Sequence, residues 1–386
     1  MRSDGGLHGT INWVVKASKL CNLRCQYCYE WDELSSRARV SLPQWKRLIT
    51  SIRWYHERRS RAAGRPVRTE IIWHGGEPLL LPPDYVAAVM RLQRDILGED
   101  LSSGHVVNSL QTNLYRVTDA QLDLLEGEGF SVGVSMDVLP GVRVDARGAE
   151  TEERVAENMD RLAERGIPFG AIAVLAAHTR DRLLDVYGFY EGLGVPLRVL
   201  PLFDAPLNVP GAPFGVTERE IVTALRTLFV HWLTRRRPIA VYPLLGYLHV
   251  ALSRRRGESA EEYDRDAHGE WALLVNTDGA LYEVMDAYDV SRSLGNVFEQ
   301  PLEDILRSGA YHASLARERE MRARVCGGCR FRGPCNTLPL FEARRKVRSG
   351  ERCAIAHAMH TFVEEHLRER HMGGRRVRGF LRRVRP

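Results

Sequence analysis

Three cysteines fall within eight positions of the stretch CNLRCQYCYEW, residues 21 to 31. Cys21, Cys25 and Cys28 follow a CxxxCxxC spacing that puts three thiolates on one short loop. A structural zinc ion takes four protein ligands, and a catalytic zinc takes three but draws mostly on His and carboxylates. Three close thiolates with no fourth instead suit a [4Fe-4S] cluster that keeps one iron free of protein ligands. An open iron can hold a small chelating molecule. A second group, CGGCRFRGPC with a fourth cysteine after 17 intervening residues, comprises Cys326, Cys329, Cys335 and Cys353. Four thiolates enclose a metal completely, and spacing alone leaves both zinc and an iron-sulfur cluster open for this group. Three and four account for all seven cysteines of the chain.

Those loops need a scaffold, and the chain reads as alternating strand and helix. Strand-length apolar runs occupy residues 10 to 17, 69 to 75, 105 to 112, 130 to 136, 168 to 176 and 196 to 203. The stretches between the first of them carry apolar residues at three- and four-residue steps, as amphipathic helices do. Such repetition with short joints predicts a parallel sheet, and right-handed crossovers curl it into an open or closed barrel. Active residues of such folds gather at the C-terminal strand ends. The cysteine loop follows the first strand, HGGEP the second, QTN ends the third and SMD ends the fourth, which predicts one shared site.

Composition narrows the class. With 386 residues and 44 % hydrophobic content, the chain can bury more than one core. The first twenty residues hold no apolar run long enough for a signal peptide, and no later run reaches the roughly 18 apolar residues of a membrane span. A reducing, cytoplasmic setting follows as the default, so the cysteines read as ligands or nucleophiles rather than disulfides. The net charge of +6 resides in the last twenty residues, which contain eight Arg and one Glu and leave the body close to neutral. A disordered, solubilising end is the expectation for this tail. With Phe380 as its one interleaved aromatic residue, nothing marks nucleic acid as the partner.

The N-terminal motif resembles that of the radical S-adenosylmethionine (SAM) superfamily, CxxxCxφC with φ aromatic, Tyr27 standing at φ. The resemblance runs from residue 10 to about 205. It implies that the open iron chelates the amino and carboxylate groups of SAM. It further implies that Gly75, Gly76 and Glu77 of HGGEP approach the methionine end and that Ser135 of VSMD reaches the ribose. Asn113 and an arginine of GVRVDARG, Arg143 or Arg147, would complete the pocket, Arg147 being the one assigned. The C-terminal group resembles the SPASM domain that follows such barrels and carries auxiliary [4Fe-4S] clusters. Here NTDGALYEV and SLGNVFEQPLEDIL look like the opening hairpin and helix. Val284 and Pro339 stand where the fuller SPASM pattern has cysteines, which leaves one auxiliary cluster on Cys326, Cys329, Cys335 and Cys353.

The implied architecture is α/β: a partial (β/α)6, TIM-like barrel over 1–205, a helical bridge over 206–265, a smaller α+β SPASM-like domain over 266–366 and the basic tail over 367–386. Among SPASM relatives the chain resembles most the maturases that form cyclophanes in ribosomally made peptides, through WHGGEPLLLP and a cysteine-free DG…YEVMD hairpin. That likeness implies a Cβ hydrogen abstraction followed by a bond from an aromatic ring to Cβ, with net two-electron oxidation. Thioether formation, sulfatase-maturase-like residue oxidation and small-molecule oxidation remain as alternatives. So does a zinc protein without radical chemistry. Asp286 is the candidate general base, with His74 and His178 as other residues near strand ends. The precursor peptide binds directly, along the barrel and bridge, or is presented by a discrete leader-binding protein, because twenty residues before Cys21 leave no room for a peptide-binding domain. A flavodoxin- or ferredoxin-type protein would deliver the electrons.

Overall fold

The computed structural model describes residues 9–202, 214–258, 264–283, 290–335 and 353–385. Its centre is a ten-stranded sheet. In chain order the strands are β1 (Thr10–Ser18), β2 (Leu23–Cys25), β3 (Arg68–Gly75), β4 (Val106–Thr112), β5 (Ser131–Ser135), β6 (Arg143–Asp145), β7 (Phe169–Leu175), β8 (Leu197–Pro201), β9 (Val241–Tyr242), β10 (Ala272–Val275), β11 (Ala280–Glu283) and β12 (Gly295–Asn296). The large sheet runs β12-β11-β10-β1-β3-β4-β5-β7-β8-β9, while β2 and β6 pair separately. All pairs from β10 to β9 are parallel, as crossover connections require. The six strands read from the sequence as β1, β3, β4, β5, β7 and β8 are all present.

Five crossover helices cover the sheet: α1 (Leu42–Ala63), α2 (Pro83–Leu97), α3 (Asp119–Gly127), α4 (Glu152–Glu164) and α5 (Leu183–Leu193). Local chemistry sets their ends. At the start of α1 the Ser41 backbone N–H donates to Gln44 Oε1 at 2.8 Å, and Gly64 closes the helix at φ 65°, a left-handed conformation that favours glycine. Under α1 and α2 the core is aromatic. Trp45 stacks on Trp73 with centroids 4.6 Å apart, and Phe130 meets Trp73 edge-on.

The sheet continues past residue 205 at both edges. On one side β10 of the later hairpin pairs with β1 in register Asn12 to Ala272, so the SPASM-like hairpin extends the barrel sheet instead of forming its own. On the other, β9 follows α6 (Glu218–Thr234) and precedes α7 (Leu244–Arg255) of the bridge. Later come α8 (Gly309–Cys326), α9 (Ala354–Glu369) and α10 (Gly374–Leu381).

The Arg-rich end is folded, contrary to the sequence expectation. Val377 and Phe380 are buried one helical turn apart while the arginines between and around them face out. Phe380 meets Trp232 of α6 edge-on at 4.7 Å. Beyond α10, Arg385 N–H donates to Pro238 O at 2.8 Å and Arg385 O accepts from Ala240 N–H at 2.7 Å. Two apolar residues at helical spacing outweigh the composition around them. No helix among the described residues is long and apolar enough to cross a membrane.

Candidate functional site

The cysteine loop is held by backbone bonds from the second strand. Gly76 N–H donates to Ser18 O and Glu77 N–H to Leu20 O, each at 2.8 Å. A Cβ on Gly75 would lie 2.0 Å from Ser18 O, and one on Gly76 would lie 2.2 Å from Lys19 O. Gly75 also has φ 130°. The glycines of HGGEP therefore admit the approach of the protein's own loop, where the sequence suggested the approach of a ligand. Glu77 is buried, and its carboxylate accepts from Leu79 N–H at 2.8 Å, Thr112 Oγ1 at 2.7 Å and Asn113 N–H at 2.7 Å. It clips the end of β3 to the end of β4. Burial raises its pKa above the usual carboxylate range, against the opposing pull of those bonds.

Within the loop, Cys21 N–H bonds Leu34 O and Cys28 N–H bonds Cys25 O, both at 2.9 Å. All three thiols are free and partly buried. Burial, with Glu77 and the neighbouring cysteines adding to it, pushes Cys21 up to about 12. Cys28 is also raised to about 12, by burial and then Cys25. Burial raises Cys25 as well, with Arg143 opposing. Such a desolvated thiol trio fits a cationic iron-sulfur core, whose charge deprotonates its ligands outright.

Asn113 Nδ2 lies 3.7 Å from Cys21 Sγ and donates to Asn22 Oδ1 at 2.9 Å. Ser135, at the end of β5, accepts from Gln111 Nε2 at 2.6 Å, so QTN and VSMD meet side by side. Gly133 leaves room for this, since a Cβ there would sit 2.3 Å from Gln111 Oε1.

The short β2–β6 ladder sets Arg143 opposite Cys25. Arg143 is buried and donates to Tyr27 Oη at 2.7 Å, while Tyr27 Oη donates a short bond to Asp137 Oδ2. Asp137 is fully buried and also accepts Val174 N–H at 2.8 Å. Burial would raise its carboxyl, but His178, Arg143 and Tyr27 together hold it below the carboxylate range. The His178 ring stacks 5.8 Å from Tyr27 with Nε2 3.6 Å from Asp137 Oδ2. Arg147 is exposed, its N–H bonded to Asp145 Oδ1. The arginine at the site is thus Arg143, correcting the choice of Arg147. Asp137 had a signal in VSMD, but the serine beside it drew the reading. His74 lies at the end of β3, its Nδ1 accepting the Gly75 N–H at 2.8 Å and its pKa lowered by burial.

The second cysteine group forms a separate cluster of features. Cys326 ends α8, Cys329 N–H bonds Cys326 O at 3.0 Å, Cys335 N–H bonds Phe331 O at 2.9 Å, and Cys353 precedes the first turn of α9. One turn-spaced face of α9 returns His360 to this group, with Nε2 3.2 Å from Cys335 Sγ. Burial, then His357 and Arg254, lowers His360 to about 4, so the ring is neutral near pH 7. Four thiols are a donor set whose chemistry suits an iron-sulfur cluster, and of the four Cys335 is the one that His360 meets. Val284, Asp286 and Pro339 lie outside the described residues.

Residues 15–190 match the family model of the Radical SAM superfamily. The serine-type anaerobic sulfatase-maturating enzyme of Bacteroides thetaiotaomicron is 21 % identical over 346 residues, spanning 84 % of this chain and 80 % of that protein. The cysteine-type enzyme of Clostridium novyi is 22 % identical over 314 residues, spanning 78 % and 80 %. The structure of native anSMEcpe with bound AdoMet and Cp18Cys peptide aligns with a TM-score of 0.72 at 17 % identity over 93 % of this chain and 97 % of that one. Streptococcus suis SuiB bound to precursor peptide SuiA aligns with a TM-score of 0.57 at 13 % identity over 80 % and 67 %. At these identities the structural likeness is one of fold. Residues 15–190, which carry the cysteine loop at the C-terminal end of β1, are thus similar to the Radical SAM superfamily, and the chain shares the mostly parallel α/β fold of the solved structures it aligns with.

Proposed function

We propose that the chain modifies a side chain of a peptide or protein by radical SAM chemistry, and that the modification is a crosslink from an aromatic ring to a Cβ in a ribosomally made precursor. The observation that carries the coarser reading is the meeting of the cysteine loop, Asn113 and Ser135 at the C-terminal ends of the strands, with the Asn113 amide 3.7 Å from Cys21 Sγ and Arg143 of β6 set opposite Cys25. Cys21, Cys25 and Cys28 would hold a [4Fe-4S] cluster with SAM, and Cys326, Cys329, Cys335 and Cys353 an auxiliary [4Fe-4S] cluster. When bound, the first cluster and SAM supply a 5'-deoxyadenosyl radical that takes a hydrogen atom from an unactivated carbon.

The chain's own part is positioning. Glu77 fixes the turn that carries the cysteine loop, and Gln111 fixes Ser135 at the ribose position. The Arg143 guanidinium offers fixed positive charge beside Cys25, and the Tyr27 ring is held in place against His178 and Phe214. Support for the crosslink comes from the resemblance of WHGGEPLLLP and of the β10–β11 hairpin region to cyclophane-forming maturases. Residue oxidation is the second reading, favoured by sulfatase maturases that align over about four fifths of their length. The peptide docks on the enzyme directly or through a discrete leader-binding protein, and a flavodoxin- or ferredoxin-type protein is the reductant.

The test begins with iron. After anaerobic reconstitution the wild type should hold about eight irons, and a variant with Cys21, Cys25 and Cys28 changed to Ala about four. Turnover with a candidate peptide follows. A crosslinked product is two hydrogens lighter, resists fragmentation between the joined residues and does not react with a carbonyl-trapping hydrazine. A product that hydrazine captures assigns residue oxidation instead, and iron-free wild type removes both readings.

A further inference from the structure

His360 is a buried histidine that the positioning roles above leave unused. It is 1 % exposed, on the second turn of α9, which follows directly on Cys353. Tyr247 meets its ring edge-on at 4.9 Å, and Phe331 lies 5.0 Å away at a tilt of 32°. Between these contacts the ring aims Nε2 at Cys335 Sγ, 3.2 Å away. Nδ1 on the opposite side is buried and meets no hydrogen-bond partner among the described residues.

That asymmetry decides the tautomer. A buried N–H with nothing to accept it is among the costlier unsatisfied groups, so a single ring proton is kept away from Nδ1. The proton then sits on Nε2, directed at sulfur. A thiolate on iron is an acceptor, and an N–H bond to a cluster sulfur draws charge from the cluster and stabilises its reduced form.

We propose that His360 is a positioning residue of the auxiliary centre, donating Nε2–H to the Cys335 thiolate and raising the reduction potential of the cluster held by Cys326, Cys329, Cys335 and Cys353. The proposal rests on the reading of those cysteines as cluster ligands. It gives the auxiliary centre a built-in bias toward accepting electrons, which suits an oxidative modification. Leu at position 360 keeps volume and removes the donor, whereas Gln returns an N–H at nearly the same reach.

The experiment uses the full-length chain carrying the triple Cys21, Cys25 and Cys28 to Ala change, so that only the auxiliary cluster contributes. Iron content is measured first, then the midpoint potential by redox titration followed by electron paramagnetic resonance. With about four irons in each protein, His360→Leu should move the midpoint to lower potential and His360→Gln should recover part of the shift. Equal midpoints in all three, with iron retained, would overturn the proposal and leave His360 as packing. Should His360→Leu fail to fold, pulsed spectroscopy of the parent with 15N-labelled histidine decides the matter. A weak nitrogen coupling, transmitted through sulfur, supports the donor, and a strong one makes His360 an iron ligand and overturns it. A triple variant that holds zinc or no iron removes the ligand reading beneath the proposal and the proposal with it, an outcome distinct from unchanged midpoints.

Discussion

At the scale of single residues the site turns on which arginine faces Cys25. GVRVDARG offers two, four positions apart, and nothing in their local sequence ranks them. The antiparallel register of β6 against β2 decides it, and that register is a contact between segments more than a hundred residues apart, as the 2.7 Å bond from Arg143 to Tyr27 Oη shows. Arg143 to Met would remove the buried donor to Tyr27 Oη, and with it the charge that reaches Asp137 through that hydroxyl, and losing one partner of a buried hydrogen bond costs about 1–3 kcal/mol. The expected outcome is a clear fall in the thermal midpoint together with weakened SAM binding in calorimetry. Arg147 to Ala, at an exposed position, should stay within about 0.5 kcal/mol of the parent and bind SAM equally. Equal effects at the two positions would contradict this placement. The cysteines, Tyr27, Glu77, Asn113 and Ser135 could be singled out as candidates because they stand in short motifs. Asp137 and Arg143 acquire their roles through a tertiary network, for which local sequence has no period or spacing.

At the scale of elements, the strands and crossover helices were legible almost to the residue. Apolar runs bounded by Gly and Pro recur at nearly even spacing, and parallel strands buried on both faces leave that signature. What the pattern does not carry is which backbone lies against which. Gly75 and Gly76 were recognisable as sites of close approach, yet the approaching group is the cysteine loop. Gly76 to Ala should therefore act on the loop. Its Cβ would overlap the Lys19 carbonyl, so reconstituted protein should fall from about eight irons toward about four while the auxiliary centre stays loaded. Gly127 to Ala, at the end of α3 with open space around it, is the matched control and should keep full iron with a stability change of about 1 kcal/mol or less. Full iron in Gly76 to Ala would show that the loop tolerates displacement.

At the scale of the whole molecule, later segments complete the sheet that earlier segments begin. The basic tail was misread because eight arginines dominate its composition, while its structural content lies in Val377 and Phe380. Phe380 to Ala should cost about 3–5 kcal/mol in denaturant unfolding, as a large core truncation does, and alter the emission of Trp232 beside it. A disordered tail would give neither change. The opposite edge was equally hidden, since no periodicity in either β1 or β10 names the other as its partner. Their pairing has a consequence in time. The Asn12 side chain bonds Trp271 O across 259 residues of chain, so β1 leaves the ribosome long before β10 exists. At about 5–20 residues per second, the nascent protein carries one bare edge of its central strand for roughly 13–50 s. During that interval the strand that leads into the cysteine loop is a template for any passing extended chain, and shielding it falls to chaperones rather than to the fold.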